Sequence, residues 1–324
     1  MPPLLVRCLG LLLLALHVHT AHAAEVVRVA TSKNILSFPV VVAHEKGFFA
    51  RHGIVVDRQD CVSGARCMVE MFEGRVDLAT AADLPIALNG LRRNDFAILA
   101  TFVTSNRDLK ILVDSNAGIS SLKDLVNTRV AYVRGTASQY FLDTMLIYNG
   151  IDPNRVERVP LGVEEASAAL RDGRVQAVSL WEPHISRLRL AKGEQVRLLS
   201  TQRVYLETFN LLAPRDFIER HAEQIPAILR AIDEAIQFIN TNPREALALL
   251  AQRLDVPVAV LSDIFGDYHY RLSLSKSLPR TLDSQVRWAI ASGEVSAGVT
   301  PPNFLKFIEP RFLRLVRPSA VTLP

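Results

Sequence analysis

The sequence of 324 residues has 49% hydrophobic residues, 22% charged residues and three cysteines. This composition is typical of a globular protein and excludes a disordered, fibrous or disulfide-scaffold protein. The length predicts about two domains, each large enough to bury its own core. The 37 Lys and Arg residues nearly balance the 33 Asp and Glu residues and are scattered, so we expect no nucleic-acid partner.

The first 23 residues have the pattern of a cleaved secretory signal peptide. Arg7 precedes an apolar run at residues 9–16, and Ala21 and Ala23 form a small-x-small cleavage site. The run is shorter than the about 20 residues that span a bilayer, which disfavours the alternative of a retained anchor. Removal of this segment takes away one arginine, so the formal charge falls from +4 to +3. We therefore expect an exported protein.

Short strands alternate with helices along the first two thirds of the remaining chain. The apolar patterns predict strands at residues 26–31, 54–60, 76–80, 129–133, 156–159 and 175–180. They predict helices at residues 38–49, 65–72, 137–149 and 164–171, and a mostly helical end at 225–240, 243–253 and 283–292. The alternation indicates an α/β fold with parallel sheets and right-handed crossovers.

Two further extended segments, at residues 109–113 and 208–213, interrupt this alternation. The simplest arrangement is a discontinuous first lobe of residues 24–110 and 212–324, with a second lobe of residues 111–211 inserted into it. The two extended segments are then strands that cross between the lobes. Two crossings form a hinge, and a ligand cleft lies between the lobes.

Polar and small residues follow the predicted strand ends, where ligands bind in parallel α/β sheets. We expect the cleft to be lined by Ser32, Asn34, Ser63, Gly64, Asp83, Arg134, Gly135, Thr136, Ala137, Ser138, Trp181 and Glu182. Phe38 is a further candidate, for an apolar part of the wall. Such a set binds a small polar ligand better than it catalyses hydrolysis.

Two predicted helix starts are candidate anion sites, one in each lobe. Residues 134–139 leave a strand and open a helix, and Ser63 and Gly64 do the same before the helix at 65–72. Unpaired N–H groups at a helix start attract an anion. The alternative is that Ser63 and Thr136 serve only as N-caps. Trp181 is either a wall of the site or a core residue.

Cys61 and Cys67 are six positions apart, and export would place them in an oxidising compartment. They are candidate disulfide partners, and two buried thiols are the alternative. The sequence contains no zinc-protease helix motif, G-x-S-x-G elbow, P-loop or G-x-G-x-x-G motif. We therefore predict no catalytic residue, no metal and no cofactor.

Several stretches resemble one family along nearly the whole mature chain. They include residues 27–30 (VRVA), 43–49 (AHEKGFF), 74–79 (GRVDLA), 121–125 (SLKDL), 130–138, 173–177 (GRVQA) and 180–183 (LWEP). The chain resembles the periplasmic substrate-binding proteins of ABC importers for nitrate, alkanesulfonates, taurine and thiamine pyrimidine precursors. The resemblance implies a two-lobed, type II-like periplasmic binding protein fold that closes on its ligand and delivers it to a membrane permease.

The resemblance also implies a function, a monomeric receptor for a small organic anion such as a sulfonate or taurine-like solute. One alternative is a thiamine pyrimidine precursor or another aromatic or neutral solute. Asp83 or Glu182 would then accept hydrogen bonds from the ring N–H groups of the solute. A second alternative is an exported pyrimidine-synthase-like enzyme, because some relatives of this fold synthesise pyrimidine.

Overall fold

Two mixed sheets organise residues 25–323, the part of the chain that the computed structural model describes. The predicted signal peptide at residues 1–23 lies outside the described residues. The first stretch of the chain forms four strands and four helices: β1 (Val26–Ser32), α1 (Phe38–Glu45), α2 (Phe48–Arg51), β2 (Val55–Cys61), α3 (Gly64–Phe72), β3 (Leu78–Ala82), α4 (Asp83–Gly90) and β4 (Phe96–Ser105).

The middle of the chain builds the second sheet and its helices. Its elements are β5 (Lys110–Asp114), β6 (Arg129–Tyr132), α5 (Ala137–Tyr148), β7 (Glu157–Pro160), α6 (Val163–Arg171), β8 (Ala177–Leu180), α7 (His184–Lys192) and β9 (Val196–Leu198). The chain then returns to the first sheet and ends mostly in helices: β10 (Glu207–Pro214), α8 (Arg215–Arg220), α9 (Ile225–Thr241), α10 (Pro243–Leu254), α11 (Val258–Phe265), β11 (His269–Ser273), α12 (Ser277–Ala291) and α13 (Arg311–Val316).

The six-stranded sheet has the order β11-β4-β10-β3-β1-β2. Strand β1 runs parallel to β2 and β3, whereas β10 runs antiparallel to both β3 and β4. The carboxyl ends of β1, β2 and β3 therefore meet at one edge of the sheet. Because Glu207 pairs with Ser105, the amino end of β10 and the carboxyl end of β4 lie at the same edge.

The five-stranded sheet has the order β7-β6-β8-β5-β9. Strand β6 runs parallel to β7 and β8, and β5 runs antiparallel to β8 and β9. The carboxyl ends of β6 and β8 lead directly into residues 133–136 and into Trp181. The predicted alternation of strand and helix is present in both sheets.

The two predicted crossing strands each lie within a single sheet. The strand predicted at residues 109–113 is β5 of the second sheet, and the one predicted at 208–213 is β10 of the first sheet. The chain instead passes between the sheets in the segments 106–109 and 199–206. The boundary expected at residue 212 falls inside β10, whose pairing with β4 already begins at Glu207.

Strand β4 is an element that the sequence patterns did not reveal. Nearly all of its ten residues are buried, because β10 and β11 flank it and helices cover the sheet. A strand buried on both faces lacks the alternation of apolar and polar residues that identifies a half-exposed strand.

The helical end of the chain packs onto the first sheet through an amphipathic face. Helix α9 buries the predicted apolar residues Ile228, Leu229, Ile232, Ala235, Ile236 and Ile239, and it packs against α1, α2 and α13. Each fully buried isoleucine or leucine stabilises the fold by about 1.5–3 kcal/mol. No helix among residues 25–323 combines the length and the apolar character needed to cross a bilayer.

Candidate functional site

A small chamber lies between the two lobes, at the edge where the strand ends meet. Its volume is about 30 Å³. We call it the inner chamber. Both lobes contribute to its lining, which consists of Asn34, Leu36, Ser63, Gly64, Ala65, Ala82, Pro85, Asp108, Thr136, Ala137, Trp181, Glu207 and Phe209. Six expected site residues belong to it: Asn34, Ser63, Gly64, Thr136, Ala137 and Trp181.

The starts of α3 and α5 both border the inner chamber. Ser63 is the N-cap of α3, and its Oγ accepts a hydrogen bond of 3.3 Å from the Arg66 N–H. Thr136 precedes α5, but its Oγ1 donates to the Val133 carbonyl at 2.8 Å and caps no helical N–H. The first N–H groups of each helix have no partner within the helix, so both starts can donate to a ligand.

Gly64 is required by packing at the start of α3. A Cβ at this position would lie 2.8 Å from the Ala81 Cα and 3.2 Å from the Thr80 carbonyl oxygen. Only glycine allows α3 to begin so close to β3. This close approach places the helix start at the chamber wall.

Trp181 directly follows β8 and forms part of the chamber wall. Its side chain is 6% exposed, and its ring packs edge-on against His184 with 5.7 Å between centroids. Trp181 is therefore buried and also borders the space between the lobes, and its contact with a solute stays a prediction.

A larger cleft of about 350 Å³ adjoins the inner chamber and shares Ala65 and Pro85 with it. We call it the outer cleft. It contains the expected residues Arg134 and Gly135 together with Arg92. Gly135 has φ +71°, a left-handed conformation that favours glycine, and this turns the chain from β6 into α5. Arg134 therefore lies at the mouth of the site.

Asp83 has a structural environment that the sequence did not anticipate. Its carboxylate accepts hydrogen bonds from the Tyr205 hydroxyl, from the Thr208 N–H at 3.0 Å and from Gln285 Nε2 at 2.8 Å. Burial raises the pKa of Asp83, and these hydrogen bonds oppose the shift. Asp83 does not belong to the chamber lining and instead joins α4 to the returning chain and to α12.

Four other expected residues also lie outside both linings. The Ser32 Oγ hydrogen-bonds the Ser37 Oγ at 3.0 Å, and the Phe38 ring packs against Tyr270 in the core. The Ser138 Oγ donates to the Ser179 carbonyl at 2.6 Å and so ties α5 to β8. The Glu182 carboxylate is 3.0 Å from Lys110 Nζ and accepts from the Ser186 N–H at 3.0 Å. The polar groups of Ser32, Ser138 and Glu182 thus bind other groups of the protein, and the Phe38 ring belongs to the core.

Two acidic residues line the inner chamber and were not identified from the sequence, namely Asp108 and Glu207. Asp108 lies in the segment between β4 and β5, and Glu207 begins β10. Neither residue follows the carboxyl end of a predicted parallel strand. Glu207 stands at the amino end of an antiparallel strand, and Asp108 follows a strand that was not predicted.

Burial raises the pKa values of both acidic residues, and nearby carboxylates add to each shift. Burial raises the pKa of Asp108 to about 7, although the Tyr268 hydroxyl donates to its carboxylate and Lys110 is near. Burial raises the pKa of Glu207 further above its usual range, and the charges of Asp108 and Asp83 add to this shift. Bringing these carboxyls into the closed chamber therefore favours their neutral forms.

Cys61 and Cys67 are free thiols in this structure, and both are buried. The predicted disulfide is thus not formed in this structure. The two cysteines are instead buried thiols, which was the alternative. Burial raises the pKa of Cys67 well above its usual range, and a hydrogen bond with Cys61 adds to the shift.

Among residues 25–323, no group of three or more His, Cys, Asp or Glu side chains is arranged to hold a metal ion. His184 faces Glu164, with 3.8 Å between Nδ1 and Oε1, whereas Asp83 is bound by Tyr205 and Gln285. Asp83 and His184 therefore have separate partners.

Residues 34–246, more than half of the chain, match the family model described as NMT1/THI5 like. The chain belongs to the NMT1/THI5-like family. This confirms the resemblance found in the sequence. The matched range contains every residue of the inner chamber.

Individual relatives of this NMT1/THI5-like protein agree with this assignment. A protein of Escherichia coli (strain K12), whose name assigns it to the binding of aliphatic sulfonates, is 25% identical over 200 residues, which are 62% of each chain. The match therefore spans less than two thirds of that relative. The 4-amino-5-hydroxymethyl-2-methylpyrimidine phosphate synthase of Schizosaccharomyces pombe is 23% identical over 63% of this chain and 62% of its own.

The fold is that of the periplasmic binding proteins. The alkanesulfonate-binding protein of Xanthomonas axonopodis pv. citri, solved with bound MOPS, superposes with a TM-score of 0.78. The superposition covers 89% of this chain and 99% of that chain at 18% identity. The predicted fold class is confirmed: the NMT1/THI5-like chain has two mixed sheets flanked by helices.

Proposed function

We propose that this protein is a periplasmic receptor that captures a small organic anion, sulfonate- or taurine-like, between its lobes and delivers it to an ABC importer. The observation that carries the proposal is the facing pair of helix starts, α3 from one lobe and α5 from the other, at a chamber that both lobes enclose. An anion placed between them receives N–H donors from both lobes at once.

Two side chains near the start of α5 support the binding of an anion. Arg134 lies at the mouth of the site, where its guanidinium can form a charge-assisted hydrogen bond. Gln139 is 2% exposed and lines the outer cleft; its Oε1 accepts from the Gly135 N–H at 2.8 Å. Its Nε2 has no hydrogen-bond partner among the described residues, so it remains available as a donor.

The volumes of the two spaces support a receptor that opens and closes. Ligand pockets usually measure about 300–1,000 Å³, so we propose that the inner chamber, at about 30 Å³, enlarges when the lobes separate. A solute enters when the lobes separate at the segments 106–109 and 199–206. Closure then surrounds the solute and hides its charge from water.

Calorimetric titration of the mature protein tests this proposal directly. The protein is titrated with taurine, alkanesulfonates, nitrate and pyrimidines, and we expect saturable heat with at least one sulfonate. The Arg134→Gln variant should bind that anion more weakly, whereas Arg271→Gln, which changes an exposed arginine of β11, should not. The absence of heat with every anion contradicts the ligand class.

A thiamine pyrimidine precursor is the second candidate solute, and two observations favour it. The Schizosaccharomyces pombe relative is named for pyrimidine synthesis, and the chamber offers the aromatic wall of Trp181 beside the acceptors Asp108 and Glu207. Tight binding of a hydroxymethylpyrimidine, with no binding of sulfonates, would favour this candidate.

Because the same relative is named as a synthase, the protein is also tested for catalytic turnover of its solute. We propose a receptor without turnover, because no local catalytic constellation emerges around the chamber. Prolonged incubation of stoichiometric protein with each candidate solute, followed by mass spectrometry of the small molecules, checks this. A chemically changed solute would support the pyrimidine-synthase-like alternative.

Export is tested by the amino terminus of the protein isolated from the periplasm. Cleavage of the predicted signal peptide should leave a chain that begins at Ala24. We expect this chain to elute as a monomer in size-exclusion chromatography, and to stimulate ATP hydrolysis by its importer only when the solute is present.

A further inference from the structure

The charge of the inner chamber differs from that expected for a site that binds only an anion. Asp108 and Glu207 are its two ionisable lining residues, and the lining contains no Lys, Arg or His. The arginine that supports the binding of an anion, Arg134, belongs to the outer cleft instead. Arg134 shares the outer cleft with Arg92 and Glu294, whereas both ionisable residues of the inner chamber are carboxylic acids.

Both carboxyl groups have an oxygen without a partner. Asp108 is 1% exposed; Tyr268 donates to its Oδ1 and the backbone N–H of Glu182 lies near the carboxyl, but its Oδ2 has no hydrogen-bond partner among the described residues. Glu207 is 3% exposed, and its Oε2 likewise lacks a partner in the described part of the chain. A buried polar atom without a partner destabilises the folded state, so such atoms at a ligand site are free to bind a donor.

The surrounding charges do not supply this donor. The ammonium of Lys110 is near Asp108 but forms an ion pair with Glu182 and donates to the Arg107 carbonyl. The other ionisable groups that face the two carboxyls are acids or phenols: Glu182, Tyr268 and Tyr270 around Asp108, and Asp83 and Tyr205 around Glu207. The chamber thus has an excess of carboxyl groups over cations.

We propose that Asp108 and Glu207 form a cation subsite that binds a protonated amine of the solute. This inference rests on the proposed function and defines the solute further. The solute is dipolar: its ammonium lies against Asp108 and Glu207, and its anionic group faces the starts of α3 and α5 and the side chain of Arg134. A short ammonio-alkanesulfonate has this chemistry.

The subsite also couples solute binding to protons. Closure around a solute without an amine leaves Asp108 and Glu207 buried without a cation, which favours their protonated forms. Closure around an ammonium keeps the carboxyls ionised. Because both titrations begin from the same free protein, the complex with the ammonium solute should hold about one proton fewer than the complex with its amine-free partner.

The experiment compares three matched probes by calorimetry at pH 7: taurine, ethanesulfonate and ethylammonium. Each titration is run in two buffers of different ionisation enthalpy, which gives the number of protons exchanged. We expect taurine to bind at least about tenfold more tightly than ethanesulfonate, with the predicted difference of about one proton. Equal affinities for taurine and ethanesulfonate, or no difference in protons, overturn the subsite.

The same probes separate the subsite from the proposed function. Binding of ethanesulfonate and taurine with equal strength supports an anion receptor and refutes the cation subsite. Binding of ethylammonium and taurine with equal strength, and no binding of ethanesulfonate, supports the subsite and refutes the anion receptor. If none of the three probes binds, both proposals fail.

Two variants test the residues themselves. Glu207→Gln and Asp108→Asn keep the shape of each side chain and remove its charge, and we expect each to lower the preference for taurine over ethanesulfonate by at least about tenfold. The control is Glu245→Gln, which removes an exposed carboxylate that pairs with Lys46 on the surface of the first lobe. Unchanged preferences in both chamber variants, with melting temperatures like that of the parent protein, contradict the proposal.

Discussion

The Tyr205 hydroxyl donates a hydrogen bond to the Asp83 carboxylate, and this contact joins the segment that returns from the second lobe to the first turn of α4. Thr208 and Gln285 bind the same carboxylate from β10 and α12. Three separate parts of the chain thus converge on one buried acid beside the site. We therefore predict that Asp83 fixes the position of the returning segment rather than contacting the solute.

We expect Asp83→Ala to destabilise the fold more than it affects solute binding. The substitution leaves several buried donors without an acceptor, which lowers the free energy of unfolding by roughly 1–3 kcal/mol for each unsatisfied group. Urea denaturation measures the loss, and the exposed Asp216→Ala serves as the control. Unchanged stability together with abolished binding would instead place Asp83 in contact with the solute.

Trp181→Ala should weaken solute binding by at least about tenfold, because it removes part of the chamber wall and the contact with the solute. Its ring is buried, so some loss of melting temperature is expected as well. Phe102→Ala provides the comparison, since Phe102 is fully buried in the first sheet and lies outside the chamber lining. If both variants lose affinity and melting temperature in the same proportion, Trp181 acts as a core residue.

The stability of the closed protein should depend on pH through Asp108. Its pKa is raised from 3.8 to about 7 by burial, so between these values the folded state holds a proton that the unfolded state has released. The contribution of Asp108 to the free energy of unfolding is therefore highest below pH 4. It falls as the pH rises to 7, by at most about 1.4 kcal/mol per pH unit.

Denaturation at pH 5, 6, 7 and 8 measures this slope in the parent protein and in Asp108→Asn. We expect the variant to lose stability less steeply with rising pH. His184 acts in the opposite direction, because burial lowers its pKa to about 4. Its contribution to stability therefore rises with pH until the pH reaches 6.5, the pKa of histidine in the unfolded chain. The difference between the two proteins isolates Asp108, and parallel curves would show that its carboxyl stays solvated.

The sequence predicts the fold well because strands and helices alternate and their ends carry recognisable residues. Ser63, Thr136 and Trp181 were expected at the cleft in this way and do border the chamber, since each follows a strand whose apolar pattern is clear. Their contact with a solute stays a prediction. Asp108 and Glu207 were missed because their positions depend on the pairing of β4 with β10, which are far apart in the chain. The sequence also does not reveal which way a side chain points. Ser32 and Ser138, for example, form hydrogen bonds with other residues of the protein.

Thiol chemistry distinguishes the free cysteines of this structure from a disulfide. Cys61 and Cys67 are buried, and burial raises the pKa of Cys67, so alkylation at pH 8 should leave both unmodified in the native protein. In denaturant without reductant, we expect two thiols per mature chain to react, as counted by mass spectrometry. Reaction only after reduction would establish the disulfide. Three reactive thiols would show that Cys8, and with it the segment 1–23, is retained.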